Sequence, residues 1–289
     1  KNSNFKILNE VYLDLNNDKI FDASEQIINP NSNNGGKLYD IYGGLQLDSS
    51  RNDVIVTVEE RGPLRAVIKA EAITKDYTSN NTMQTLMHGW AVRIYAYADK
   101  PYVKIDYQLQ NSAKTTTAQG KVNPRPWYYI LYYNWMNLDF LFNLANPLIT
   151  FGFIDDTTFT TGPLGASSKV YLAQEDDDVN KVYNTQNQVI KNVNINCGTS
   201  CTTLTNNVRS GWIDVSDSKW GVTAVIRNFW QTWPKGYEFD STNKLSIQLF
   251  PDWGQSWDWK NLQLTPSGIY WLWDMQYNMN EVLMVFHKN

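Results

Sequence analysis

The sequence predicts a mostly β protein: a β-sandwich or barrel-like set of β modules with long polar loops and little helix. Short segments rich in β-branched and aromatic residues alternate apolar and polar side chains with a period of two, as strands with one buried face do. Turn clusters separate them, from Asn31 to Gly36, Asp99 to Pro101, Thr161 to Pro163 and Trp233 to Gly236. Helical periodicity is missing: residues 122–144 are apolar and aromatic but contain Pro124 and Pro126, and their centre, 128–133, suits a buried strand.

In chain order the pattern marks strands at residues 54–59, 64–72, 90–98, 103–111, 127–133, 211–215, 221–228, 244–250, 268–273 and 281–287. This spacing points to a sandwich or barrel. Residues 1–173 read as an N-terminal β unit. Residues 174–205, which open on the acidic run Glu175 to Asp178, read as a polar excursion, and 206–289 as C-terminal strands packed with the N-terminal unit. No internal repeat is visible. At 289 residues the chain is long enough to bury a substantial core.

Charge narrows the partners. With 25 Lys and Arg against 29 Asp and Glu, nothing is left over to neutralise a phosphate backbone, so nucleic acid is not expected. No run reaches the roughly 18 apolar residues of a membrane span. Lys1 to Asn4 do not read as a signal peptide, and without an initiating Met the chain reads as already processed. Twelve Trp and 17 Tyr with only 19% charged residues suit an extracellular or cell-surface β protein, or a surface on which sugar rings stack. Cys197 and Cys201, three residues apart and without a neighbouring His, lack the ligands for zinc and read as a small disulfide loop. Asn80 heads a glycosylation sequon with Asn81 and Thr82.

The most specific motif lies near the N-terminus. Residues 14–25 place Asp14, Asn16, Asp18, Asp22 and Glu25 at positions 1, 3, 5, 9 and 12, with Ile20 offering its carbonyl at position 7. That is the ligand spacing of an EF-hand-type loop for Ca2+, which takes about six to eight oxygens. Lys19 stands at position 6, where glycine normally permits a left-handed turn; a side chain there costs about 1 kcal/mol. Residues 9–13 alternate like a strand, so the expectation is a structural calcium clamp without EF-hand helices.

Two stretches resemble a known family. Thr57 to Lys69 followed by Val92 to Ala98 and Val103 to Tyr107 is similar to the N-terminal β domain of exo-acting rhamnogalacturonan lyase-like proteins. Gly221 to Lys235, Leu245 to Pro251 and Glu281 to His287 are similar to later segments of the same family. Together these cover a third to a half of the chain. The resemblance implies a fold built from that family's β modules. It does not carry over lyase activity, because the α/α toroid that builds the sugar cleft has no counterpart here. Where the family shows a Lys-Thr-His-Glu-like segment, this chain has Asn278, Met279, Asn280 and Glu281, keeping the Glu alone.

Chemistry is harder to place. A lyase needs a carboxylate clamp, a base and an acid; Arg125 with Tyr128, Tyr129, Tyr132 and Tyr133 offers those groups, but tyrosines clustered in a strand also pack. His88 and His287, the two imidazoles, read as structural. Asp252 and Asp258 lie among Trp253, Trp257 and Trp259, which could stack a sugar or form a rigid packed loop. The leading expectation is a non-catalytic, calcium-stabilised surface protein acting by binding or self-assembly, as a homo-oligomer or filament. A carbohydrate-binding module using the three tryptophans for a polysaccharide, and a polysaccharide lyase, are the alternatives.

Overall fold

The computed structural model describes residues 5–30, 34–40, 44–48, 54–72, 88–111, 131–152, 158–176, 179–194, 211–252, 256–258, 263–265, 270–273 and 276–289. Most of them belong to two large antiparallel sheets. The first runs from edge to edge as β11 (Thr158–Thr161), β10 (Leu148–Gly152), β15 (Trp212–Ser216), β16 (Trp220–Ile226), β22 (Tyr277–Lys288), β8 (Tyr102–Asn111), β7 (His88–Tyr97), β6 (Arg65–Ala72) and β5 (Ile55–Arg61). The second runs β14 (Val189–Asn194), β13 (Val179–Tyr183), β12 (Lys169–Asp176), β17 (Gly236–Asp240), β18 (Lys244–Phe250), β9 (Leu131–Leu141), β3 (Gly35–Asp40) and β4 (Gly44–Leu47), with β21 (Tyr270–Leu272) also pairing with β9. Two small ribbons complete the chain, β1 (Val11–Tyr12) with β2 (Gln26–Ile28) and β19 (Ser256–Asp258) with β20 (Gln263–Thr265). One 3-10 turn, Ala23–Glu25, is the only helical element among the described residues.

The sheets pack face to face because period-two alternation gives each an apolar side. Trp90, Val92, Ile105, Leu109, Val222 and Met284 point inward from the first sheet, and Leu138, Phe140, Tyr237, Phe239 and Ile247 from the second; all are fully buried in one continuous core. Two polar struts cross it. The Tyr237 hydroxyl accepts from the Ile226 N–H at 2.8 Å and donates to the Gly211 carbonyl at 2.9 Å, while the Tyr107 hydroxyl reaches both carboxylate oxygens of Asp48 at 3.0 Å. Phe229 stacks on Tyr237 with ring centroids 5.5 Å apart.

Three expectations change. The polar stretch 174–205 contributes the end of β12 and all of β13 and β14 before it leaves the described residues, and Val182 at its centre is fully buried. A strand at a sheet edge needs few inward apolar residues, so an Asn-rich composition hides it. Gly35, Gly36 and Gly236, read as turn residues, lie in strands. Gly36 marks a close approach: a Cβ there would sit 2.1 Å from Asp48 Oδ2, inside the Tyr107 strut. And the strand expected to finish at Tyr133 runs on to Leu141, through a bulge beside Trp135.

Candidate functional site

The loop 14–25 joins β1 to β2, which the Leu13 N–H closes by donating to the Glu25 carbonyl at 2.9 Å. Most of its hydrogen bonds are internal. Asp14 Oδ2 accepts from the Lys19 N–H at 3.0 Å, Asn16 Oδ1 from the Asp18 N–H at 2.9 Å, and Asp18 Oδ1 from the Ile20 N–H at 2.7 Å. Asp22 caps the 3-10 turn, accepting from the Ser24 N–H and hydroxyl, and these bonds hold its carboxyl below the usual carboxylate range. Lys19 adopts φ 64°, the left-handed conformation that position 6 demands, and Asn17 adopts φ 62°. The Glu25 side chain is 1% exposed and accepts from the N–H groups of Leu15, Asn16 and Asp22, while Asp14 Oδ1 is buried without a hydrogen-bond partner. Lys288, at the end of β22, docks on this loop through the Leu15 carbonyl at 3.0 Å and Asn17 Oδ1 at 2.9 Å. Among the described residues no three His, Cys, Asp or Glu are already gathered into a metal-holding group.

Several other nominated residues fall outside the description: Cys197, Cys201, Asn80, Arg125, Tyr128, Tyr129, Trp253 and Trp259 lie beyond the described residues, as do the side chains of Tyr132, Trp257 and Asp258. Tyr133 is 1% exposed and packs in the core against Phe250 and Tyr270; burial pushes its phenol well up. His88 is buried at the start of β7. His287 lies on the outward face of the first sheet, its Nε2 2.8 Å from Asp214 Oδ2, which also accepts from the Thr223 hydroxyl at 2.8 Å. Gly221, directly opposite on β16, makes room for that ring: a Cβ would come within 2.6 Å of His287 Cε1.

The two outward faces differ in how their polar groups are used. Across β5, β7, β8 and β22 of the first sheet, Arg93 grips Glu59 with bonds of 2.7 and 3.1 Å, and Lys104 joins Asp106 at 3.2 Å to Glu281 at 3.1 Å. The second sheet carries a polar patch that sequence inspection missed. Asn137 and Gln248 are direct cross-strand partners on β9 and β18, and Asp139 stands two residues along β9 on the same face, opposite Ser246. Bulges in both strands lie next to this patch, and at the β18 bulge the Leu249 carbonyl takes a 2.7 Å bond from Lys235. Asp139 is 4% and Gln248 6% exposed, yet Asn137 Oδ1, Asp139 Oδ1 and Gln248 Oε1 are buried without hydrogen bonds. Lys37 bonds the other Asp139 oxygen at 2.6 Å. Trp135 and Tyr39 flank the patch on one side with ring centroids 5.9 Å apart, and Tyr171 and Tyr183 stack at 5.0 Å beyond β17, two strands from β18. The alternation Trp135, Asn137, Asp139 against Met136, Leu138, Phe140 was the available signal.

No protein-family model and no curated protein sequence matches the chain. Among solved structures it is similar to the α-galactosidase AgaA of Geobacillus stearothermophilus, at 9% identity and TM-score 0.43 over 97% of this chain and 35% of that one. It is similar to the α-galactosidase of Lactobacillus brevis, at 8% identity and TM-score 0.42 over 88% of this chain and 29% of that one. It is also similar to a galactose mutarotase related enzyme of Lactobacillus acidophilus, at 10% identity and TM-score 0.35 over 83% and 72% of the two chains. The chain spans about a third of the length of those α-galactosidases. These are similarities of chain path, and neither ligand nor chemistry follows from them for this protein.

Proposed function

We propose that this is a calcium-stabilised β protein of the extracellular space or cell surface that acts by binding or self-assembly, without catalysis. One observation supports the reading: in the loop 14–25 Lys19 takes the left-handed turn, Glu25 is buried and Asp14 Oδ1 is buried without a hydrogen-bond partner. A buried carboxylate oxygen left unpaired is costly, and a hard cation offsets that cost. Asp14, Asn16, Asp18, Asp22 and Glu25 with the Ile20 carbonyl supply the oxygens, and an ion there would fix the loop against β22 through Lys288. The non-catalytic part is supported by Tyr133, spent in the core. Self-assembly is supported by the edge of the first sheet, where Ile55, Val58, Leu64 and Ile68 are exposed along β5, β6 and the turn joining them.

The test is thermal unfolding in chelator and in millimolar calcium, with light scattering alongside. Calcium at about ten times its Kd stabilises by about 1.4 kcal/mol, so the melting temperature rises by about 3 °C. Glu25→Gln should lose most of that increment. Identical melting curves with and without calcium would remove the reading; a monomer under both conditions would remove its assembly part.

A further inference from the structure

The patch on the outward face of the second sheet has the properties of a built binding site. Three acceptor oxygens, on Asn137, Asp139 and Gln248, are shielded from solvent and unbonded side by side. Folded proteins leave only a few such atoms unpaired, and three of those among the described residues fall together here. Cross-strand neighbours stand about 5 Å apart and i, i+2 neighbours about 7 Å, so the trio covers roughly the area of one six-membered ring. What it lacks is donors. The charges on this face balance: Lys37 pairs with Asp139, Lys169 with Glu238 at 2.8 Å, and Lys244 with Asp240 at 3.2 Å. A metal ion would meet the Lys37 ammonium, and an anion would meet the three acceptors. A neutral ligand with several hydroxyl groups meets neither objection, and the amides of Asn137 and Gln248 can donate as well as accept. The aromatic pair Tyr39 with Trp135 borders the patch with the apolar faces that such a ring stacks on.

We propose that Asn137, Asp139 and Gln248 form a binding site for a neutral saccharide ring, entered from the outward face of the second sheet. The site goes beyond the calcium reading and does not depend on the loop 14–25, so its test is run with calcium present throughout. Gln248→Met keeps shape and removes the unsatisfied oxygen. A site that keeps acceptors unpaired for a ligand is stabilised when one is deleted, so the variant should melt higher than the parent by about 2 °C or more. In saturation-transfer NMR against methyl galactoside, glucoside, mannoside and rhamnoside, the parent should take up at least one of them. Gln248→Met and Asn137→Leu should each weaken that binding at least tenfold. A Gln248→Met variant that melts at or below the parent temperature would mean that an ordered water already satisfies the oxygen, and would overturn the proposal. So would the absence of transfer from all four glycosides.

Discussion

Lys235→Met is expected to raise the melting temperature at neutral pH, with the gain fading as the pH approaches 10. Lys235 is 1% exposed, bonded to the Leu249 carbonyl at 2.7 Å with its ammonium 4.5 Å from the Phe250 ring centre, and burial pulls its pKa down to about 7. The unfolded lysine titrates near 10.4. Between those values the unfolded chain holds a proton that the folded chain has released, so the stability of the parent rises with pH across the window from about 7 to about 10. Below pH 7 both states are charged and the full burial cost, on the order of 4 kcal/mol, is present. Methionine removes that cost but leaves the Leu249 carbonyl unbonded, which gives back about 2 kcal/mol. A net gain of about 2 kcal/mol, or about 3 °C, is expected at pH 7, and a net loss of about 1 kcal/mol at pH 10, where the burial cost has largely gone and the unbonded carbonyl remains. Above pH 10 the parent turns over: burial pushes the phenols of Tyr237 and Tyr270 up, the unfolded phenols ionise first, and stability falls. Melting curves from pH 6 to 11 check both limbs, and a gain that did not change with pH would show that Lys235 carries no buried charge.

Tyr237→Phe is expected to be a costly single-atom deletion. The hydroxyl bridges β17 to the Ile226 N–H and the Gly211 carbonyl in the interior. Phenylalanine fills the same space and keeps the stack on Phe229, so packing hardly changes. What is lost is a partner for two backbone groups that water cannot reach, at about 3 kcal/mol, or roughly 5 °C. Urea unfolding measures it, and the slope should stay that of the parent because the surface exposed on unfolding is unchanged.

The fold was legible where alternation was strong and inward residues were large. Residues 244–250, 103–111 and 221–228 were placed nearly to the residue, because each alternates around inward residues such as Ile247, Ile105 and Val222. β12, β13, β14 and β17 were not: β14 is a sheet edge, the Asn- and charge-rich stretch 174–194 has the composition of a loop, and Gly236 at the start of β17 reads as a turn residue. The loop 14–25 was legible as an oxygen-rich turn because its Asp, Asn and Glu residues are spaced along one stretch of chain, and the structure adds the left-handed Lys19 and the contact with Lys288, 273 residues from Leu15. The polar patch was invisible for the opposite reason. Asn137 and Gln248 become neighbours only through strand register, and nothing local announces that their oxygens are buried without partners.

Strand β22 has a kinetic consequence. It stands between β16 and β8, so the first sheet consists of two halves, one built from residues 55–111 and the other from 148–161 and 212–226, that touch in the sheet only through it. The first half is a succession of hairpins that can zip locally; the second needs β10 to meet β15 some 60 residues on, and joining the two waits for a strand some 170 residues further along than β8, with the loop-closure entropy that implies. The expectation for synthesis is that the first half forms early with its apolar face uncovered and the sheet is completed only when residues 277–288 emerge.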